Sequence, residues 1–446
     1  MSLIPDNSEP ARRQFSVMAG LQRALALCKF GDMVGGLAAS RDVLALEPDN
    51  TDALMIGAGA CVSLGDDETA AELFAALLSH NPSNAKARFH HGGVLRSLGK
   101  NQEALTAFRA ALALDSKMAD AHNNIGGILQ ALGDDAGAIE AYETALGLRT
   151  NDAAAQNFIG NRFLELDDAG RAMNAFKNAI ALQAGFAPGH AGLANAMLYA
   201  GDPAGALDAC EKCLAIDPMN RNAISYKSIA LTETGRDDVQ RILTDFDLLL
   251  RDTQISPPAG YRDLAEFNRA IADYIATHPK LGRDRDKVVR HGVELSHLLT
   301  DPEGPIEELT VIIQAEGAAY MDAIPKDTDH PFLSHRPRGW TLDGWGTILQ
   351  QQGYQLPHNH ANAWLSGVYY VELPRSIQAR ENAPAGWIEF GRPPKAYHCM
   401  HEPELKLVHP EEGKMLLFPS YMWHRTFPFG KNARRITIAM DFEPLQ

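Results

Sequence analysis

A chain of 446 residues is too long for one hydrophobic core and predicts two or more domains. Its 45% hydrophobic and 22% charged residues suit a globular protein in water, and a formal net charge of −15 argues against nucleic acid or an anionic membrane as the main partner. Five cysteines (Cys28, Cys61, Cys210, Cys213, Cys399) are too few for a disulfide framework, no apolar run is long enough to span a bilayer, and Met1 to Pro10 does not read as a secretory signal; a cytoplasmic setting is expected.

The first half of the chain falls into rows of about 34 residues without an insertion. The rows begin at Val17, Thr51, Ala85, Ala119, Ala153 and Ala187. One column holds only small residues: Gly36, Ala70, Ala104, Ala138, Ala172, Ala206. Another is mostly aromatic: Ser40, Phe74, Phe108, Tyr142, Phe176, Cys210. A third gives Gly31, Gly65, Gly99, Gly133, Asp167 and Gly201, and Pro48, Pro82 and Pro218 share a later one. Small residues let two antiparallel helices approach, the aromatic fills the wedge between them, and glycine turns the chain. A further row from Arg221 keeps Gly235 but loses the small and aromatic columns, as a capping or docking repeat would.

In period and in columns this array resembles the tetratricopeptide repeat family, which implies a right-handed superhelix, here assigned to residues 1–254. Asn123, Asn124, Asn157, Asn161 and Asn195 recur on the first helices of successive rows. The resemblance puts those helices on the concave surface, where an amide can both donate to and accept from an extended peptide. A peptide or protein substrate held in this groove is therefore expected, with docking or homodimerisation as the other use of the array. Cys210 and Cys213 form a CxxC, but on inward-facing columns, so they read as packing rather than as a zinc or redox site. His90-His91 reads the same way.

After Ser256-Pro-Pro-Ala-Gly260 the period is lost. Amphipathic patterns over Tyr261–Ala276 and Pro305–Ile324 predict two helices flanking a further domain. From Trp340 the period switches to two, and strands are predicted at Trp340–Leu349, Leu365–Leu373, Gly386–Phe390, Leu405–Val408, Lys414–Phe418, Trp423–Phe427 and Arg435–Phe442. Many short strands separated by turn residues such as Glu411-Glu412-Gly413 indicate a sandwich or jelly roll.

The chemistry concentrates in this last region. His358 and His360 precede the run Leu365–Val371, and His424 lies on a later strand candidate. Two histidines one residue apart at a strand edge can point the same way, and three imidazoles suit Fe(II), Zn or Cu alike. Arg435 and Thr437 share a face of the last strand, and a buried arginine calls for an anion, which a dicarboxylate satisfies by a bidentate pair.

Pro357-His-Asn-His360, Trp364-Leu-Ser-Gly-Val-Tyr-Tyr-Val371, Leu417-Phe-Pro-Ser420 and Arg434-Arg-Ile-Thr-Ile438 resemble a bacterial branch of the 2-oxoglutarate/Fe(II)-dependent oxygenases that often follows tetratricopeptide repeats. That family implies a double-stranded β-helix (jelly roll), with two histidines and usually a carboxylate on iron. Carried over, His358 and His424 become iron ligands, and His360 stands where the family has the aspartate of HxD. His360-Ala-Asn362 as an HxN pair, or water as the third ligand, are the alternatives. Arg435 and Thr437 match the clamp for the distal carboxylate of 2-oxoglutarate, with Arg434 as the fallback and Tyr370 (or Tyr369) as a further contact. Trp345 and Gln350 are expected to line the pocket, Trp364 to be core, and His398-Cys-Met-His401 to be a surface loop.

The fold class expected is thus α+β and multidomain: the all-α repeat superhelix, then a jelly-roll oxygenase domain over residues 255–446, with flanking helices over 255–335 and the β core over 338–444. The resemblance implies a dioxygenase (hydroxylase) that uses Fe(II), 2-oxoglutarate and molecular oxygen, with a peptide or protein as substrate. A small-molecule tailoring oxygenase and a non-catalytic, metal- or ligand-binding scaffold are the rival readings.

Overall fold

The computed structural model describes residues 9–282, 289–326, 330–378, 383–430 and 434–445. The N-terminal residues 1–8, read above for a leader, lie outside the described residues. The chain parts into two compact units, Met1–Leu166 and Asp167–Gln446.

In the first unit the helices start where the rows start. Thr51–Leu64, Ala85–Ser97, Ala119–Ala131 and Ala153–Glu165 are first helices, and Asp67–His80, Asn101–Leu114 and Asp135–Leu148 are their partners. Asn50, Asn84 and Asp152 cap the first kind and Asp66 and Asp134 the second, each side chain accepting a backbone N–H in the first turn. The turn between partners needs a left-handed residue: Gly65, Gly99 and Gly133 have φ of 74°, 73° and 81°. The aromatic column is buried as expected, and a Cβ on Gly126 would lie 2.5 Å from the Tyr142 ring, so the ring rests on bare backbone of the neighbouring helix. His90 and His91 are half-buried and pack against Phe74, in agreement with a packing role.

The second unit begins with Asp167, whose φ of 56° does the work of the turn glycines. It continues the repeats through Ala187–Tyr199, Pro203–Ile216 and Arg221–Glu233. Cys210 and Cys213 are fully buried, and burial raises both thiols, Cys213 to about 12, which fits packing rather than reactivity.

Among the described residues nine strands follow: β1 (Arg251–Gln254), β2 (Val289–Leu295), β3 (Trp340–Gln355), β4 (Leu365–Glu372), β5 (Ile388–Phe390), β6 (Lys406–Val408), β7 (Lys414–Pro419), β8 (His424–Thr426) and β9 (Arg435–Pro444). They form two antiparallel sheets, β1-β7-β4-β9-β3-β2 and β6-β5-β8. All seven predicted strands are present; β1 and β2 are additions at the two edges of the larger sheet. The helix Leu264–Thr277 covers the outer face, with Ile275 against Gly346 and Asn268 accepting from Tyr369, while the helix Pro305–Ala323 sets Gly317 on Phe442. Residues of the opposite parity along β3, β4 and β9 face inward, and that face carries the site.

Candidate metal centre

The centre is assembled from two loops and one sheet face. A short antiparallel bridge brings the first loop to the second: His358 and His424 exchange backbone hydrogen bonds of 3.0 Å, and the His360 N–H donates to Ser420 O at 2.9 Å. Three imidazoles thereby converge, with ligating nitrogens of His358, His360 and His424 all within 4.8 Å of one another. Ring centroids lie 4.2 Å apart for His358–His424 and 5.2 Å for the two pairs that involve His360.

Each ring is fixed through Nδ1. In His358 it meets Leu356 O at 2.7 Å, and in His424 it meets Met422 O at 3.0 Å. A carbonyl only accepts, so Nδ1 carries the proton and Nε2 the lone pair. In His360, Nδ1 lies 2.8 Å from both oxygens of Asp441, which also accepts from Ser366 Oγ at 2.6 Å. Burial, reinforced by the neighbouring histidines, pushes His358 down to about 3 and His424 well below its usual value. Both are therefore neutral at physiological pH, the state a metal ligand requires.

Asp441 escaped the sequence reading, although its signal was present: Arg435, Thr437, Ala439 and Asp441 alternate along one strand face. The register continues that face across the sheet. Asp441 lies opposite Ser366 and Asp343, Ala439 opposite Trp345, and Thr437 opposite Thr347 and Tyr370. Trp345 stacks on His360 at 5.6 Å, as a pocket wall would.

At the other end of the face Arg435 is buried. Its Nη1 donates to Gly386 O at 3.0 Å, and its guanidinium lies 5.4 Å from the Tyr370 ring centre. Among the described residues no carboxylate pairs with it, and Arg435 Nε and Tyr370 Oη are buried without a hydrogen-bond partner. A guanidinium in this state is costly, and an incoming carboxylate is what would satisfy it. Three Nε2 donors at one end and a cation with a phenol at the other thus fit a metal ion and a dicarboxylate.

The remaining candidates fall outside this group. Arg434, the fallback cation, pairs with Glu372 at the surface, and Asn362 and Gln350 are exposed. Trp364 is core, stacked on Phe332 at 4.6 Å. His398 and His401 lie on an exposed loop, where the His401 backbone N–H donates to Glu233. Of the asparagines expected to line a groove, Asn123 and Asn157 have buried side-chain oxygens with no hydrogen-bond partner among the described residues, and Asn161 is exposed. Asn124 is tied to Asp120 O, and Asn195 accepts from Tyr397 Oη at 2.9 Å.

Comparison with known proteins finds two segments that resemble known families. Residues 343–441 match the family described as "Putative 2OG-Fe(II) oxygenase", and residues 91–156 match a tetratricopeptide repeat family. Repeats and an oxygenase segment thus occur in one chain, and the segment carries the three histidines, Arg435, Thr437, Tyr370 and Asp441. No curated protein matches the chain. Among solved structures, MamA is 24% identical over 36% of this chain and 94% of its own, with a TM-score of 0.34. A tetratricopeptide repeat protein from Parabacteroides merdae is 14% identical over 52% of this chain and 91% of its own, with a TM-score of 0.42. For pilF of Pseudomonas aeruginosa the values are 17%, 48%, 98% and 0.40. No helix among the described residues is long and apolar enough to cross a membrane.

Proposed function

We propose that the chain is an Fe(II)- and 2-oxoglutarate-dependent dioxygenase that hydroxylates a peptide or protein substrate recruited by its repeats. In this reading residues 1–254 are the recruiting array and residues 255–446 the oxygenase, its two sheets being the halves of a jelly roll. The observation that carries it is the pairing of a three-imidazole cluster, held beside one inner sheet face, with a buried guanidinium on that face that has no carboxylate partner among the described residues.

When bound, Fe(II) and 2-oxoglutarate would activate molecular oxygen, the oxidant, one atom of which would end in succinate as 2-oxoglutarate loses carbon dioxide and the other in the hydroxylated substrate. The protein's part is to bind, orient and keep dry. His358, His360 and His424 offer Nε2 to the metal, and Asp441, by holding Nδ1 of His360, keeps that ring oriented and makes it a stronger donor. Its negative charge sits one ring away from where the family has its ligating aspartate. Arg435 takes the distal carboxylate, with Tyr370 Oη as second donor and Thr437 beside them on β9. Trp345 closes one side of the pocket. The side-chain oxygens of Asn123 and Asn157 are acceptors for the backbone N–H groups of a peptide.

The test incubates the full chain with Fe(II), 2-oxoglutarate, isotopically labelled oxygen gas and peptides from a cell extract. The expected result is a labelled peptide one oxygen atom heavier. Succinate formed only with added small metabolites would point instead to a tailoring enzyme, and no oxygenated product with any substrate would overturn the proposal.

A further inference from the structure

The helix Arg221–Glu233 has lost the repeat columns, yet it is buried almost continuously from Ala223 to Thr232. A helix buried on nearly every side is packed into something larger. Its neighbours are the two loops that hold the histidines.

Ser225, fully buried on this helix, joins those loops. Its Oγ donates to Tyr421 O at 2.5 Å and accepts from Asn359 Nδ2 at 2.6 Å. Asn359 is the residue between His358 and His360, and Tyr421 lies three residues before His424. Around this contact, Trp423 Nε1 donates to Ser225 O at 3.4 Å and Asn222 Oδ1 lies 3.5 Å from Asn359 Nδ2. One turn back, Arg221 Nε donates to Ala363 O at 3.0 Å. Tyr226 and Tyr397 pack on Trp423, the residue adjoining His424, with ring centres 6.5 and 6.0 Å away.

We infer that this last repeat helix is a built-in part of the metal centre, and that Ser225 is a positioning residue that sets the spacing of the three histidines. One hydroxyl spans the two loops. Without it, the loop bearing His358 and His360 is held to the other by the His358–His424 bridge, the His360–Ser420 bond and two bonds from Ser420 to Ala363 O and Trp364 O at its far end, and nothing among the described residues ties Asn359 to the Tyr421 backbone. A metal needs its ligands held to within about half an ångström, so a change in loop spacing shows as lost affinity and altered geometry. The inference rests on the three histidines binding a metal. It also gives the loss of the repeat columns a cause: the residues that would pack on a next repeat instead pack on the ligand loops.

The test uses the full chain and Co(II) alone, titrated into metal-free protein and followed by its visible absorption. Ser225→Ala and Asn359→Ala should each weaken Co(II) binding about tenfold and shift the absorption band. Ser228→Ala is the control, because Ser228 is also buried on this helix but its Oγ donates to Ser225 O within the helix and not to a ligand loop, so its loss should leave affinity and spectrum as in the wild type. If Ser225→Ala does not fold, Asn359→Ala decides alone. Wild-type affinity and spectrum in the variants that fold would overturn the inference while leaving the metal site standing, provided His424→Ala abolishes binding. A wild-type chain that takes up no Co(II) would overturn this inference together with the functional reading beneath it.

Discussion

In the first unit Tyr142 rests on Gly126, less than one repeat away, and Asn50, Asp66, Asn84, Asp134 and Asp152 each cap the helix that follows them directly. In the second unit His360 meets an aspartate 81 residues on, and Arg435 meets a carbonyl 49 residues back. The repeats bury apolar groups through local, recurring contacts. The β region buries charge and imidazole, and it can do so only by gathering partners from afar. Stability in the first case is spread over many equivalent contacts; in the second, one missing partner leaves a polar group stranded.

The largest stability loss is expected in the repeats. Phe108→Ala removes a fully buried ring and should cost about 3–5 kcal/mol, measured by denaturant unfolding. A cost below about 1 kcal/mol would mean that the aromatic column is not the structural wedge. Arg435→Met should act in opposite directions. Binding of 2-oxoglutarate should weaken by about 2–5 kcal/mol, whereas the protein without ligand should gain up to a few kcal/mol because an unpaired buried cation has gone. Calorimetry reads the first and thermal unfolding the second; weaker binding together with a less stable fold would make Arg435 structural rather than a carboxylate receptor.

Asp441→Asn comes next. It keeps the shape but removes the charge behind His360, and metal affinity should fall about 10- to 100-fold. Unchanged affinity would leave Asp441 as a partner of Ser366 only. The smallest effect belongs to the turns. Asp167→Gly gives the left-handed position the residue its column otherwise uses and should stabilise by less than about 1 kcal/mol.

The same contrast explains what the sequence disclosed. The repeat rows were legible because a fixed period multiplies a weak signal, and six of the seven rows from Val17 to Arg221 mark a helix start, the first row falling inside Glu9–Lys29. The three histidines and Arg435 stood out because imidazole and guanidinium are uncommon within apolar strand patterns and carry chemistry, and Thr437 was read with Arg435 because it shares that strand face. Asp441 was passed over because a lone acid near the chain end resembles a surface residue until the inward parity of β9 is known. The edge strands were missed for local reasons: Arg251–Gln254 has no apolar alternation, and Val289–Leu295 is broken by a register shift at Arg290/Gly292. Asn195 looked like its groove counterparts, but its partner Tyr397 lies 202 residues away, a separation no column can reveal. Ser225 gave no signal at all, since one serine in a degenerate repeat is chemically unmarked.

The most direct test of the central claim is succinate formation from 2-oxoglutarate by the full chain reconstituted without oxygen with Fe(II) and then exposed to oxygen, in wild type and in His424→Ala. The account predicts iron- and oxygen-dependent succinate from the wild type and only background from the variant. Equal turnover in both would contradict it.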